Sequence, residues 1–184
     1  MNASTNSIIA FMLALLLPVL AQAQGMRVEH AASKLVNGAY QVDARIGFGF
    51  DDEVLNALEH GVALTIDVII RISQERDWLW DRTISEDIMK FKLEHHPLSN
   101  HYLVTNLDNG DRHQLQSQQQ AIMMLGTITK HHLINQDMLN PGAHYVGLIK
   151  AKLDISTLPP PLRPVAYISK QWRLESPWYK WVIR

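Results

Sequence analysis

The sequence predicts a mainly β domain, an antiparallel β-sandwich of about seven or eight strands with two short helices. Three observations lead there. Several segments alternate apolar and polar side chains every two residues, the period of a strand with one buried face. Between them stand turn formers such as Asn37-Gly38 and Pro97-Leu98-Ser99-Asn100. The composition, 47% hydrophobic and 19% charged over 184 residues, suits one globular domain with a sizeable core.

Taken in order, Asn37-Gly38 places a hairpin, because a type I′ turn needs two residues that tolerate positive φ. Tyr40, Val42, Ala44, Ile46, Phe48 and Phe50 alternate after it with polar residues and glycines, and Met26–Leu35 is the expected partner strand. Asp51 or Asp52 can start a short helix whose Val54, Leu55 and Leu58 share a face, with Gly61 ending it. Val62 to Ser73 is the longest alternating run and is expected in the middle of a sheet.

Met89, Phe91 and Leu93 form a further strand that turns through Pro97–Asn100 into Tyr102–Thr105. Ser117 followed by Gln120 forms a capping box, so the second helix is expected from about Gln118 to Lys130. Tyr145, Gly147, Ile149, Ala151 and Leu153 line one face of another strand. The prolines at 159, 160, 161 and 164 fit a polyproline connection along a sheet edge, since they cannot donate to a ladder. Trp172, Leu174 and Trp178 then follow strand spacing.

The N-terminus is different in kind. Ile8 to Leu20 is an apolar run ending in Ala21-Gln22-Ala23, a small-x-small cleavage pattern. The run is shorter than the roughly 20 residues that span a bilayer. We therefore read residues 1–23 as a signal peptide and residues 24–184 as a single β-rich domain, periplasmic and without a membrane span after cleavage; a retained anchor is the alternative.

Composition excludes several chemistries. The chain has no cysteine, which removes disulfides, thiol catalysis, iron-sulfur clusters and cysteine-bound zinc. A net charge of −1 offers no field that would gather nucleic acid. No G-x-S-x-G, H-E-x-x-H or S-x-x-K signature is present. Gly47-Phe48-Gly49-Phe50 lies inside an alternating strand and lacks the third glycine of a phosphate loop.

Nine histidines raise the question of a metal, since neutral imidazole is a common ligand. His95 and His96 are adjacent on a strand and point to opposite faces, leaving either one with His101 across the turn as the workable pair. No catalytic, cofactor-binding or metal residue is assigned on this basis. All five tryptophans lie in two short segments, so Trp78, Trp80, Trp172, Trp178 and Trp181 are the candidate binding surface. Two readings stay open for them: an aromatic band filling the core, or a flat platform for a peptide or glycan beside the prolines.

Ala57-Leu58-Glu59-His60-Gly61-Val62-Ala63-Leu64, Trp78-Leu79-Trp80-Asp81, Phe91 through Tyr102, Leu158-Pro159-Pro160-Pro161-Leu162, and Trp172 through Trp178 occur in that order. In this the chain resembles the proteobacterial "domain of unknown function 4390" family over nearly all of its mature length. The resemblance implies an exported protein of Gram-negative bacteria with no activity assigned to its family, and members encoded beside a sensor histidine kinase imply envelope signalling. The expectation is thus a non-enzymatic envelope interaction or signalling-accessory protein with an envelope protein as partner and no cofactor. The alternatives are a peptide or glycan binder using the tryptophans, and a histidine/carboxylate or metal-dependent enzyme.

Overall fold

A computed structural model describes residues 25–76 and 80–183; the expected signal peptide lies outside the described residues. Two antiparallel sheets pack face to face, as the sequence predicts. The smaller has the order β1-β2-β7, from β1 (Met26–Val36), β2 (Ala39–Phe48) and β7 (Thr127–Asn135). The larger has the order β6-β5-β4-β3-β8-β9, from β3 (Leu64–Gln74), β4 (Arg82–His96), β5 (His101–Asn106), β6 (Arg112–Leu115), β8 (Tyr145–Leu153) and β9 (Tyr179–Ile183). Three short helices, α1 (Asp52–Glu59), α2 (Gln118–Leu125) and α3 (Arg163–Ile168), cover the ends.

The alternation in the sequence sets which faces meet. Val42, Ala44 and Ile46 of β2, Leu64, Ile66, Val68 and Ile70 of β3, and Ile149 and Ala151 of β8 belong to one buried cluster. Each fully buried Leu, Ile or Val contributes about 1.5–3 kcal/mol relative to exposure. Val54 and Leu58 of α1 and Ala121 and Leu125 of α2 join the same cluster. As expected, β3 is central, flanked by β4 and β8. The first hairpin turns at Asn37 and Gly38, both at positive φ.

Several expectations need correction. Nine strands and three α-helices are present among the described residues, against the seven or eight and two expected. The second helix does not run to Lys130: it ends at Leu125, and after Gly126 the β-branched residues Thr127, Ile128 and Thr129 begin β7. The prolines do not lie extended along a sheet edge. Pro159 to Leu162 make a turn, and Pro164 sits in the first turn of α3, where its missing N–H deprives no carbonyl of a partner. Trp172 to Glu175 touch β8 through one bridge, Lys152 to Glu175, and form no strand. β4 begins seven residues earlier than expected, because its first half pairs with β3 alone.

At the edge of the small sheet, β7 carries a bulge in which Lys130 adopts φ +52°. The Asp43 carboxylate holds it: Oδ2 accepts from Lys34 Nζ and Oδ1 from the Lys130 backbone N–H, each at 2.7 Å. These contacts, the Lys34 hydrogen bond foremost and the Lys130 amide next, keep the Asp43 carboxyl below its ordinary pKa. A carboxyl whose folded pKa lies below its unfolded one stabilises the fold above the unfolded value, about 3.9, and loses that contribution as pH falls through the folded value. Asp43→Asn should therefore melt below the wild type at neutral pH, and the two melting curves should converge as pH is lowered beneath the ordinary carboxylate range. A gap that stays constant down to pH ~2 would show that the charge of Asp43 is not what holds the bulge.

Candidate functional site

The opening between α1 and α3 forms a cleft of about 430 Å³, within the usual size of ligand sites. One wall is a single face of α1: Glu53, Asn56, Ala57 and His60 follow the i, i+3, i+4, i+7 spacing of a helical stripe, beside the buried Val54 and Leu58. Val62, Leu162, Val165 and Trp172 complete it. Apolar surface dominates, with a few polar groups among it.

Trp172 is buried, and its indole Nε1–H donates to Glu53 Oε1 at 2.7 Å. This bond ties the C-terminal segment to α1. His60 Nδ1 lies 2.8 Å from the Asn56 carbonyl oxygen; a carbonyl only accepts, so Nδ1 carries the hydrogen and Nε2 of the neutral ring is left as an acceptor. The two guanidinium groups nearest in sequence are held by the backbone: Arg163 donates to the Leu158 carbonyl and Arg173 to that of Tyr167.

The family model "Domain of unknown function (DUF4390)" matches residues 23–182. The chain belongs to that family. No curated protein and no solved structure matches it. Membership in DUF4390 assigns no activity, so the chemistry of this DUF4390 domain has to be read from its own side chains.

The four described tryptophans divide between core and surface. Trp172 and Trp181 are buried, the latter donating from Nε1 to Ser33 Oγ of β1 at 3.1 Å. Trp178, on the outer face of the large sheet, has Arg71 Cζ 4.7 Å and Lys150 Nζ 5.0 Å from its ring centroid, an arrangement in which the ring attracts cations. Trp80 is 92% exposed. Trp78 lies outside the described residues.

The histidines are spread. His95 is buried, donates from Nδ1 to the Glu59 carbonyl at 2.9 Å and stacks on Tyr102 at 4.5 Å, fastening the β4–β5 turn to the end of α1. In that packing burial, and secondarily the charge of Glu59, push the Tyr102 hydroxyl pKa up. His96 pairs with His101 across the hairpin, while His131 of β7 meets Asp87 of β4 at 2.7 Å, joining the two sheets. Among the described residues no group of three or more potential ligands is placed to hold a metal ion. No helix among them is long and apolar enough to cross a membrane.

Sequence reasoning missed Glu53, Asn56, His60 and Val165 as cleft residues. The stripe on α1 was readable from its spacing. The opposing wall was not, because α3 itself went unforeseen.

Proposed function

We propose that this chain is an exported, non-enzymatic interaction protein of the cell envelope, a binding or signalling accessory, and that the α1–α3 end of the sandwich is its docking surface. The observation that carries this is α3 itself: Val165 is 51% exposed, Tyr167 53% and Ile168 79%, while Ala166 alone is buried. A group of large apolar side chains left in water beside an apolar cleft marks an interaction surface. Export rests on the apolar segment Ile8–Leu20 and the Ala21-Gln22-Ala23 that follows it.

The occupant is a partner polypeptide with an apolar contact surface and basic charge beside it. Asp51, Asp52, Glu53 and Glu59 stand on or next to α1, and no Lys or Arg occurs between Ile46 and Ile70. Glu53, the acidic residue of the cleft lining, set among Ala57, Val62, Leu162 and Val165 favours a partner that carries both features.

A photo-crosslinking side chain at Ile168 should join the exported protein to one partner in the periplasm, and the same group at the exposed Met138 should not. With that partner purified, Val165→Asp and Ile168→Glu should each weaken binding by about tenfold or more, roughly 1.4 kcal/mol. Both sites are exposed, so the stability of each variant should stay within about 0.5 kcal/mol of the wild type, as is usual for surface changes. Undiminished binding by the two variants would remove α3 as the docking element.

A further inference from the structure

We infer that the α1–α3 cleft takes a basic side chain, a lysine or arginine of the partner, with its aliphatic stem along the apolar wall and its charged head at the Glu53 carboxylate oxygen that the Trp172 indole does not engage. The inference rests on the docking reading above and names the group that enters.

The cleft's inventory of polar groups points one way. Glu53 gives one carboxylate oxygen to the Trp172 indole, and the other oxygen has room to accept. His60, with its Nδ1 hydrogen committed to the Asn56 carbonyl, offers Nε2 as an acceptor. The Asn56 amide can accept or donate. Among the described residues no Lys or Arg lines the cleft, and Arg163 and Arg173 beside it each turn part of the guanidinium to a backbone carbonyl. The lining thus favours a ligand that brings donors, and an anionic one would face the Glu53 carboxylate with no cation among the lining residues.

The apolar side of the inventory sets the rest. Ala57, Val62, Leu162 and Val165 provide a wall for methylene groups, the environment in which lysine and arginine stems pack while the head keeps polar partners. A guanidinium suits this lining, since its stem packs on the apolar wall and its head donates in a plane to the Glu53 carboxylate.

The test uses nuclear magnetic resonance of the Trp172 indole N–H with the peptide acetyl-Leu-Arg-Leu-amide, and with its citrulline counterpart, which keeps the shape and lacks the charge. The arginine peptide should shift the Trp172 signal and bind at least about tenfold tighter than the citrulline peptide. In Glu53→Gln, whose amide oxygen can still accept from the indole, that preference should vanish. Equal binding of the two peptides by the unmodified protein, or a Trp172 signal that neither peptide moves, overturns the inference, whether or not the variant folds. Ile168 crosslinking alongside such a result leaves the docking reading standing; an arginine preference without any dependence on Ile168 would retain the cleft and remove the docking reading.

Discussion

Gly126→Ala should lower the stability of this protein by about 3 kcal/mol or more, as much as many large-to-small core substitutions. Gly126 sits between α2 and β7, and a Cβ placed there would lie 2.1 Å from the Ile46 carbonyl oxygen and 3.3 Å from the Phe48 ring. The close approach is held by a hydrogen bond, since the Ile46 N–H donates to the Gly126 oxygen at 2.8 Å. Its φ of −86° is open to any residue, so the requirement is space.

A flexible side chain could swing away from a new methyl group, but a backbone carbonyl inside a paired strand cannot. The α2–β7 junction has to separate from β2, losing the Ile46 bond, about 1 kcal/mol by itself, and loosening the packing of Leu125 and Ile128. In thermal melts a loss of 3 kcal/mol corresponds to roughly 6–12 °C for a domain of this size. Denaturant titration should show a lower midpoint with an unchanged slope. A variant within about 1 kcal/mol of the wild type would mean that the two backbones can part cheaply.

The second large effect is at the pair Gly147 and Trp181, which face each other in the β8–β9 register. The indole lies over the glycine so closely that a Cβ at 147 would come within 2.1 Å of the ring. The same ring reaches across the sandwich to Ser33 of β1, so it fastens β9 to both sheets. Trp181→Ala should cost about 3–5 kcal/mol, and Gly147→Ala, which displaces the ring while leaving it present, about 1–3 kcal/mol.

The informative variant is the double one. With the indole gone, the methyl at 147 has no ring to strike and occupies part of the vacated space. The double mutant should be more stable than the sum of the single losses predicts by about 1 kcal/mol or more. Strict additivity in a denaturation cycle would show that the glycine is not there to seat the tryptophan.

How much of this was legible in advance depends on the residue. The Asn37-Gly38 turn, the single buried face of β2, the centrality of β3, the Ser117 cap and the span of β8 all follow from patterns a few residues long. β6 and β7 escaped because edge strands need few apolar contacts: in β7 only Ile128 and Ile134 are buried, and the bulge at Lys130 interrupts the alternation. α3 escaped for another reason. Its four neighbouring prolines signal extended chain, yet the ring is unfavourable only in a helix interior, and Pro164 stands in the first turn.

The amino-acid order by itself determined the layer architecture, since alternation every second residue gives a strand one side to hide and facing layers of such sides bury it. It also determined what chemistry is excluded, because a chain without cysteine has none of that residue's reactions. Tertiary structure alone decided where a ligand could sit. Glu53 and Trp172 are 119 positions apart and Ser33 and Trp181 are 148 apart, and whether an indole is buried, exposed or set beside a carboxylate depends on which distant segment closes over it. Local periodicity carries no record of that choice, because the partner that decides it is supplied by the packing of the whole sandwich.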